Sequence, residues 1–323
     1  MQQHSHSMTN NRPEADPTGS DPAAPPRLCL IILTYNGARW IEPCLDSILS
    51  DPDLPAGVEV LVVDNASSDD TPDILTRRFP QIEVHRNRKN LGVAGGANVG
   101  FRLAMERGAA FALLLNQDTK AEPGWLTAML DAADNNPDFG VFSPVQFDYE
   151  TDEIDRMFRG HYDPAQAEEP EAIAEVHTMV GAAIMIRTSL FRKIGLYDPI
   201  YFCYGEEDDF CRRARYHGSK IGIVPRAAIR HWHTNLQVPS GAHQRGRRLR
   251  NAFLYELKDP EHGALRRLRL YLRYEFFSKL IQACRKGDWS FVPHILWANV
   301  QILFLLPVIM RSRSAERRGA CHL

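Results

Sequence analysis

Four carboxylates stand side by side at Glu206, Glu207, Asp208 and Asp209, within "YGEEDDFCRRARYHG" at 204–218, and Arg212, Arg213 and Arg215 follow at once. Like charges this close repel, and each raises the pKa of its neighbours. One reading is a solvated helix start, because acids favour a helix N-terminus and bases the following turns. The surroundings favour another. The aromatic run "YFCY" precedes the acids, and Phe210 and Cys211 interrupt the charges, so the cluster is expected to be partly buried. A buried acid needs a reason.

Other residues offer complementary chemistry. Asp118 closes the apolar run "AFALLLNQD", and Asn116 lies two positions back, on the same face of an extended chain. Such a pair can hold a hard divalent cation that shares its remaining positions with substrate phosphates; a helix cap is the alternative. Asp64-Asn65 closes "VEVLVVDN" and could accept the imide N–H of uracil or thymine, or cap the turn "SSDD". In "RNRKNLGVAGGANVG" (86–100) the glycines allow close backbone approach, and the helix that follows offers free N–H groups to an anion. It is neither GxGxxG nor a P-loop, so it does not point to NAD or ATP.

These residues need a scaffold that brings strand ends together. Apolar runs at 27–36, 58–65, 82–87, 110–118 and 139–147 read as strands. Helical patterns at 38–50, after "SSDD", at 95–108 and at 123–136 separate them, with Pro43 and Pro72 suited to first turns. Alternation with short links implies an α/β fold with a parallel sheet, whose ligands bind beyond the carboxyl ends of the strands. Three of those ends carry Thr34-Tyr35-Asn36, Asp64-Asn65 and Asn116-Gln117-Asp118. After 148 comes a polar excursion. A strand running into a helix follows at 177–195, then a strand with an edge proline at 219–233.

The 323 residues are 44% hydrophobic and 24% charged, an ordinary globular balance, and a net charge of −2 gives no field for nucleic acid. Six cysteines show no CxxC or metal spacing and read as free thiols of a reducing cytosol. Residues 1–26 are polar and proline-rich and are expected to form a disordered tail without a secretory signal. From Arg245 onward basic residues outnumber acidic ones. The stretch 265–282 is a basic amphipathic helix, and 291–310 is long and apolar enough to span a bilayer. Its two prolines, His294, Asn299 and Gln301 favour a hairpin lying on an anionic membrane over a span; a buried core helix is the third option.

In their order, "ILTYNGARWIEPCLDSIL", "VEVLVVDNASSDDTPDIL", "NLGVAGGANVGF", "LLLNQDTKAEPGWL", "MVGAAIMIRTSLFRKIGLYDPIYFCYGEEDDFCRRARYHG" and "AAIRHWH" resemble the family 2 glycosyltransferases of the GT-A fold, most of all the rhamnosyltransferase-like members. The resemblance covers about residues 28–233. It implies a GT-A domain at 27–240, with a nucleotide half to about 118 and an acceptor half beyond, followed by a helical C-terminal region at 241–323. It implies that Thr34, Tyr35, Asn36, Asp64, Asn65, Asn116 and Gln117 line the nucleotide pocket, and that Asn90, Gly95, Gly96 and Asn98 lie near the diphosphate and sugar. "NQD" matches the metal-binding DXD stretch, so Asp118, with His231, would hold Mg²⁺ or Mn²⁺; Asn116 departs from the usual aspartate. "EEDD" matches the stretch that supplies the general base: Glu207 at the base position, Glu206 before it, Asp209 with Arg212 or Arg213 orienting the site, Asp208 facing water.

The implied reaction is inverting transfer of a sugar, with L-rhamnose from a dTDP carrier the leading guess, to a glycan or lipid-linked acceptor in cell-surface polysaccharide synthesis. The implied location is the cytosol, on the inner membrane face; self-association is left open. A sugar-1-phosphate nucleotidyltransferase shares the architecture but begins with a GxGTR-type loop, which "LTYNGARW" lacks. A membrane-docked scaffold without activity is the remaining alternative.

Overall fold

The computed structural model describes residues 25–162, 171–232, 242–287 and 289–319, so most of the expected N-terminal tail lies outside the described residues. The first half alternates as expected: β1 (Leu28–Thr34), α1 (Ile41–Leu49), β2 (Val58–Asp64), α2 (Thr71–Arg78), β3 (Glu83–Arg86), α3 (Gly92–Glu106), β4 (Phe111–Asn116), β5 (Thr119–Ala121), α4 (Trp125–Asn135) and β6 (Phe139–Asp148). Then come a 3₁₀ turn (Phe158–Gly160), β7 (Ala174–Glu175), β8 (Ala183–Arg187), α5 (Thr188–Ile194), α6 (Glu206–Tyr216) and β9 (Lys220–His231). Four helices close the chain: α7 (Ala242–Lys258), α8 (Ala264–Leu270), α9 (Ser278–Lys286) and α10 (Val292–Arg318), with a π-helical stretch Tyr271–Phe277 joining α8 to α9.

The strands form one sheet in the order β3-β2-β1-β4-β8-β6-β9-β5, with β7 beside β9. β3, β2, β1 and β4 pair in parallel, as do β6 and β9. β8 runs antiparallel between β4 and β6. The mostly parallel sheet is therefore as expected, but β8 separates strands that the sequence order would place side by side. Its run of buried apolar residues marks it as an interior strand without specifying its neighbours. β9 is interior too. Its Pro225 lies in a bulge, where the register with β6 jumps from Pro144↔Val224 to Val145↔Ala228, so no ladder hydrogen bond is asked of it. On its other side β7 pairs with 222–223 and β5 with 229–231, so among the described strands Pro225 has no partner there either, as an edge proline is expected to sit.

Two apolar layers cover the sheet. Ile41, Cys44, Leu45 and Ile48 of α1 and Trp125, Leu126, Met129 and Leu130 of α4 pack on one face. Ala94, Ala97 and Phe101 of α3, Phe191 of α5 and Phe210 of α6 pack on the other. α3 starts at Gly92, three residues before the expected 95, so Gly95, Gly96 and Gly100 lie in its interior, where glycine disfavours helix. Packing accounts for them. A Cβ on Gly96 would stand 2.6 Å from Leu33 Cδ1, and one on Gly100 2.4 Å from Ile31 Cγ2. Four helical residues rise about as far as two strand residues, so this i, i+4 pair lets the helix axis sit close along β1.

The C-terminal helices have their own core, built from Tyr201, Leu249, Phe253, Leu254, Tyr271, Ile295, Ala298 and Ile302. α10 packs one stripe along α7 and leaves the other apolar side open, with Phe304 81% and Met310 71% exposed. Its last turns return to the sheet-bearing part of the chain through buried charges. Lys258 Nζ lies 2.5 Å from Glu316 Oε1, 2.6 Å from Asp198 Oδ2 and 3.0 Å from Asp209 Oδ1. Ser312 Oγ lies 2.7 Å from Asp198 Oδ2 and 3.0 Å from Glu316 Oε1, so its one proton can be given to either carboxylate.

Candidate active site

The parallel register brings the ends of β1, β2 and β4 level, with Thr34 beside Asp64 and Leu33 beside Asn116. Gln117 ties two of these ends. Its Oε1 accepts from Thr34 Oγ1 at 2.5 Å and from the Tyr35 N–H at 3.0 Å, and its Nε2 donates to the Tyr35 carbonyl at 3.3 Å. A Cβ on Gly37 would lie 2.0 Å from that Oε1, so any side chain there would displace Gln117 from this position. Tyr35 stands exposed. Asn36 takes φ +49° and accepts from the Ser68 N–H at 2.8 Å, closing the β1–α1 turn against the "SSDD" turn.

Asp64 is fully buried. Its Oδ1 caps the turn by accepting from the Ser67 N–H at 2.9 Å. Its Oδ2 forms a 3.2 Å ion pair with Arg86 Nε, yet has no hydrogen-bond partner among the described residues. Turn cap and ligand acceptor are thus compatible in one side chain. Asn65 and Asn98 are placed differently. Asn65 donates to Asn90 Oδ1 and the Gly92 carbonyl and accepts from Asn87 Nδ2 and the Leu91 N–H, while Asn90 also accepts from the Gly92 N–H. Asn98 exchanges two hydrogen bonds with the Tyr197 backbone. These amides shape the 87–91 loop and the start of α3, and Gly95 and Gly96 serve helix packing there, with a Cβ on Gly95 2.8 Å from Leu91 Cβ.

Beyond the end of β4, the β5–β9 pairing sets Thr119 opposite His231 and brings His231 Nε2 to 3.6 Å from Asp118 Oδ1. That separation exceeds a hydrogen bond and suits two donors facing one ion. The Trp232 N–H donates to the Asp118 carbonyl at 2.9 Å, fixing the corner. Asn116 joins β4 to the strand beside it, its N–H donating to the Ala182 carbonyl at 2.9 Å. Its side chain is half-buried at the same strand end.

The Ala182 contact leads to the acids. A Cβ on the adjacent Gly181 would stand 3.3 Å from Glu207 Oε1, so Glu207 lies against the start of β8, next to the end of β4. Glu206 and Glu207 open α6 after Gly205, whose φ of +91° favours glycine. The Oε2 atoms of both are buried without a hydrogen-bond partner among the described residues. Burial, and then the charge of Asp208, push Glu207 up to about 7; burial, and then Glu207, raise Glu206 well above the usual carboxyl range. Asp208 does not simply face water: it is half-buried and accepts from Thr178 Oγ1 at 2.6 Å. Asp209 is fully buried. Its carboxylate takes Arg213 Nε at 2.9 Å, Arg212 Nη2 at 3.4 Å, Lys258 and the Tyr201 hydroxyl. Burial raises its pKa, but the charges of Lys258, Arg213 and Arg212 outweigh burial and hold it at about 2. Asp209 is therefore an ionised anchor of α6, and the two glutamates are the acids poised to exchange protons.

Residues 29–195 match the family described as Glycosyl transferase family 2. The chain belongs to that family: it is a glycosyltransferase that draws on a nucleotide-sugar donor. Among its relatives is an N-acetylglucosaminyl-diphospho-decaprenol L-rhamnosyltransferase of Mycobacterium tuberculosis, 25% identical over 63% of this chain and 75% of the relative. The galactofuranosyltransferase GlfT1 of the same organism is 25% identical over 81% of this chain and 92% of its own. Of solved structures, S. aureus TarS 1–349 in complex with UDP-GlcNAc superposes with a TM-score of 0.58 at 18% identity, covering 90% of this chain and 88% of that one. GalNAc-T7, solved with UDP, GalNAc and Mn²⁺, reaches 0.54 at 13% identity over 78% and 54%. These two likenesses concern the fold. Family membership sets aside the nucleotidyltransferase and inactive-scaffold alternatives.

Proposed function

We propose that the chain transfers a hexosyl or deoxyhexosyl unit, L-rhamnose from dTDP-rhamnose the leading candidate, from a nucleoside diphosphate to a glycan or lipid-linked acceptor, with inversion at the anomeric carbon. The observation that carries the mechanism is Glu207: half-buried, with Oε2 unpartnered among the described residues, held up to about 7, and level with the strand ends that would seat the donor. In its ionised form Glu207 takes the acceptor hydroxyl proton as that oxygen attacks, its basicity raised by burial and by the charge of Asp208. Attack from the face opposite the leaving diphosphate inverts the centre.

Asp64, whose Oδ2 faces Arg86 but has no hydrogen-bond partner among the described residues, would accept the imide N–H of a pyrimidine, and the exposed Tyr35 would stack on the ring. Asp118 and His231 fit a divalent cation, and Asn116 can add a neutral oxygen in place of a third charge. When bound, the ion would neutralise charge on the departing nucleoside diphosphate. A thermal-shift screen of nucleotide sugars with and without Mg²⁺ or Mn²⁺ tests the donor, since a ligand of the folded state alone raises the melting temperature. The dTDP- and UDP-linked sugars should give the largest shifts, and Asp118→Asn should lose the metal-supported part. Equal shifts with excess EDTA would remove the metal from the reading.

We also place the enzyme on an anionic bilayer. α10 with the turn before it is long and apolar enough to cross a membrane by length and composition. One stripe of it is committed to α7, however, and its last turns to Lys258, which favours lying on the surface. Trp289, Trp297, Leu303, Phe304 and Met310 are exposed, and Arg266, Arg269, Arg273, Arg285 and Lys286 lie exposed on the neighbouring helix. Apolar insertion and basic attraction act together, at about 1 kcal/mol per nearby Lys or Arg. The full chain should co-sediment with phosphatidylglycerol-containing vesicles, and Leu303→Glu with Phe304→Glu should release it. Failure of the wild type to bind, or equal binding by the double variant, would end the membrane role.

A further inference from the structure

The segment that delivers Glu206 and Glu207 is strained, and the helix that restrains it belongs to the C-terminal region. Within Tyr201–Gly205, Phe202 takes φ +62° and Tyr204 φ +72°, ahead of Gly205 at +91°. L residues rarely adopt this left-handed region, and a loop keeps it only where its surroundings over-determine it. Here one side chain contacts three carbonyls. Asn251 of α7, buried, places Nδ2 within reach of the carbonyls of Tyr201 (3.1 Å), Cys203 (2.8 Å) and Tyr204 (2.6 Å), its two N–H groups shared among the three. Arg250 aims that amide, donating to Asn251 Oδ1 from Nε (3.1 Å) and Nη2 (2.9 Å), and it also reaches the Ile200 and Tyr201 carbonyls at 3.2 Å each. The carbonyl between those Asn251 holds, that of Phe202, goes the other way and accepts from the Ala94 N–H at 3.3 Å, against the glycine-rich loop.

We propose that Asn251 is a positioning residue for the base. Taking Glu207 as the base, as above, Asn251 fixes the left-handed turn that aims the first turn of α6 at the strand ends, and Arg250 fixes Asn251. The glutamates follow Tyr204 by only two and three residues, so a rotation of the Cys203 or Tyr204 peptide turns α6's first turn. Asn251 does not hold the Phe202 carbonyl, the loop's contact with the donor side. Loss of the amide should therefore weaken transfer while leaving donor binding in place.

The test is steady-state transfer with the full chain and the donor identified in the screen, for Asn251→Ala, Arg250→Met, Glu207→Gln and the Asn251→Ala/Glu207→Gln double variant. Asn251→Ala should lower kcat by about 10-fold or more with the donor KM nearly unchanged, because small misplacement of a reacting group is costly. Arg250→Met, which keeps the Asn251 amide, should show a smaller loss in the same parameter, and it decides the matter if Asn251→Ala does not fold. In the Glu207→Gln background the Asn251 change should cost little more, as expected of groups acting as a unit. Unchanged kcat in a folded Asn251→Ala or Arg250→Met protein, a loss that appears wholly in donor KM, or full additivity with Glu207→Gln would overturn the proposal. Wild-type turnover by Glu207→Gln would instead overturn the base assignment on which it rests.

Discussion

Glu207→Gln is expected to lower turnover by ~10²-fold or more while donor affinity stays close to that of the wild type, because the amide keeps the shape but cannot take a proton. The same substitution should make the protein more heat-resistant above neutral pH. Burial holds the Glu207 carboxyl up to about 7, so between the ordinary carboxyl range and that value the unfolded chain binds fewer protons than the folded one. Stability is then complete below the unfolded pKa and falls as pH rises through about 7. Glutamine has no charge to bury and escapes that loss. Melting curves at pH 8 should place the variant above the wild type, alongside its loss of activity. A variant that is both inactive and less stable would mean that Glu207 is a packing residue.

The second large effect concerns the buried charges that lock α10 to the catalytic half. Lys258 is fully buried, and no other cation within salt-bridge distance of Glu316 is seen among the described residues. Lys258→Met fills the same space but leaves Glu316 and Asp198 facing each other through Ser312. Breaking a buried pair by removing one partner costs about 3–5 kcal/mol, which for a domain of this size corresponds to a fall in Tm on the order of 10 °C. Lys258→Met with Glu316→Gln should recover part of it. The cluster also sets an acid limit. The neighbouring cations hold Asp209 at about 2, so its stabilising contribution is present above the ordinary aspartate range and is lost as pH falls toward 2. Calorimetry of the single and double variants at neutral pH checks the pair, and an unchanged Tm in Lys258→Met would show that the network carries no net stability.

The alternating core was legible because its strands are buried on both faces and its helices are amphipathic, two patterns that depend only on local sequence. The strand-end residues followed from the same register: Thr34, Asp64 and Asn116 end their runs, and the parallel pairing brings them level. What pairs with what across the chain was not legible. Nothing local in β8 says that it enters between β4 and β6. Nothing local separates Asp209, paired with cations, from Glu207, whose Oε2 has no hydrogen-bond partner among the described residues. That difference depends on Lys258, 49 positions beyond Asp209 in the numbering. The asparagines show the same limit. The 86–100 stretch marks a shaped loop, but whether Asn65 and Asn98 touch a ligand or hold the loop and the start of α3 depends on the Leu91 and Tyr197 backbones they bond. Asn251 and Arg250 had no signal of their own, because their partners are main-chain carbonyls about 50 residues earlier.

The pH dependence of transfer in a single turnover, read as nucleoside diphosphate released from a saturating donor, bears most directly on the role of Glu207. A buried carboxyl held up to about 7 and acting as base must lose its proton before it can accept another. The wild-type rate should therefore climb with pH along a single limb centred near 7 and then level off, and the residual rate of Glu207→Gln should lack that limb. A wild-type rate that is flat from about pH 5 to 9, or one that falls as pH rises through neutrality, would contradict the assignment of Glu207 as the group that deprotonates the acceptor.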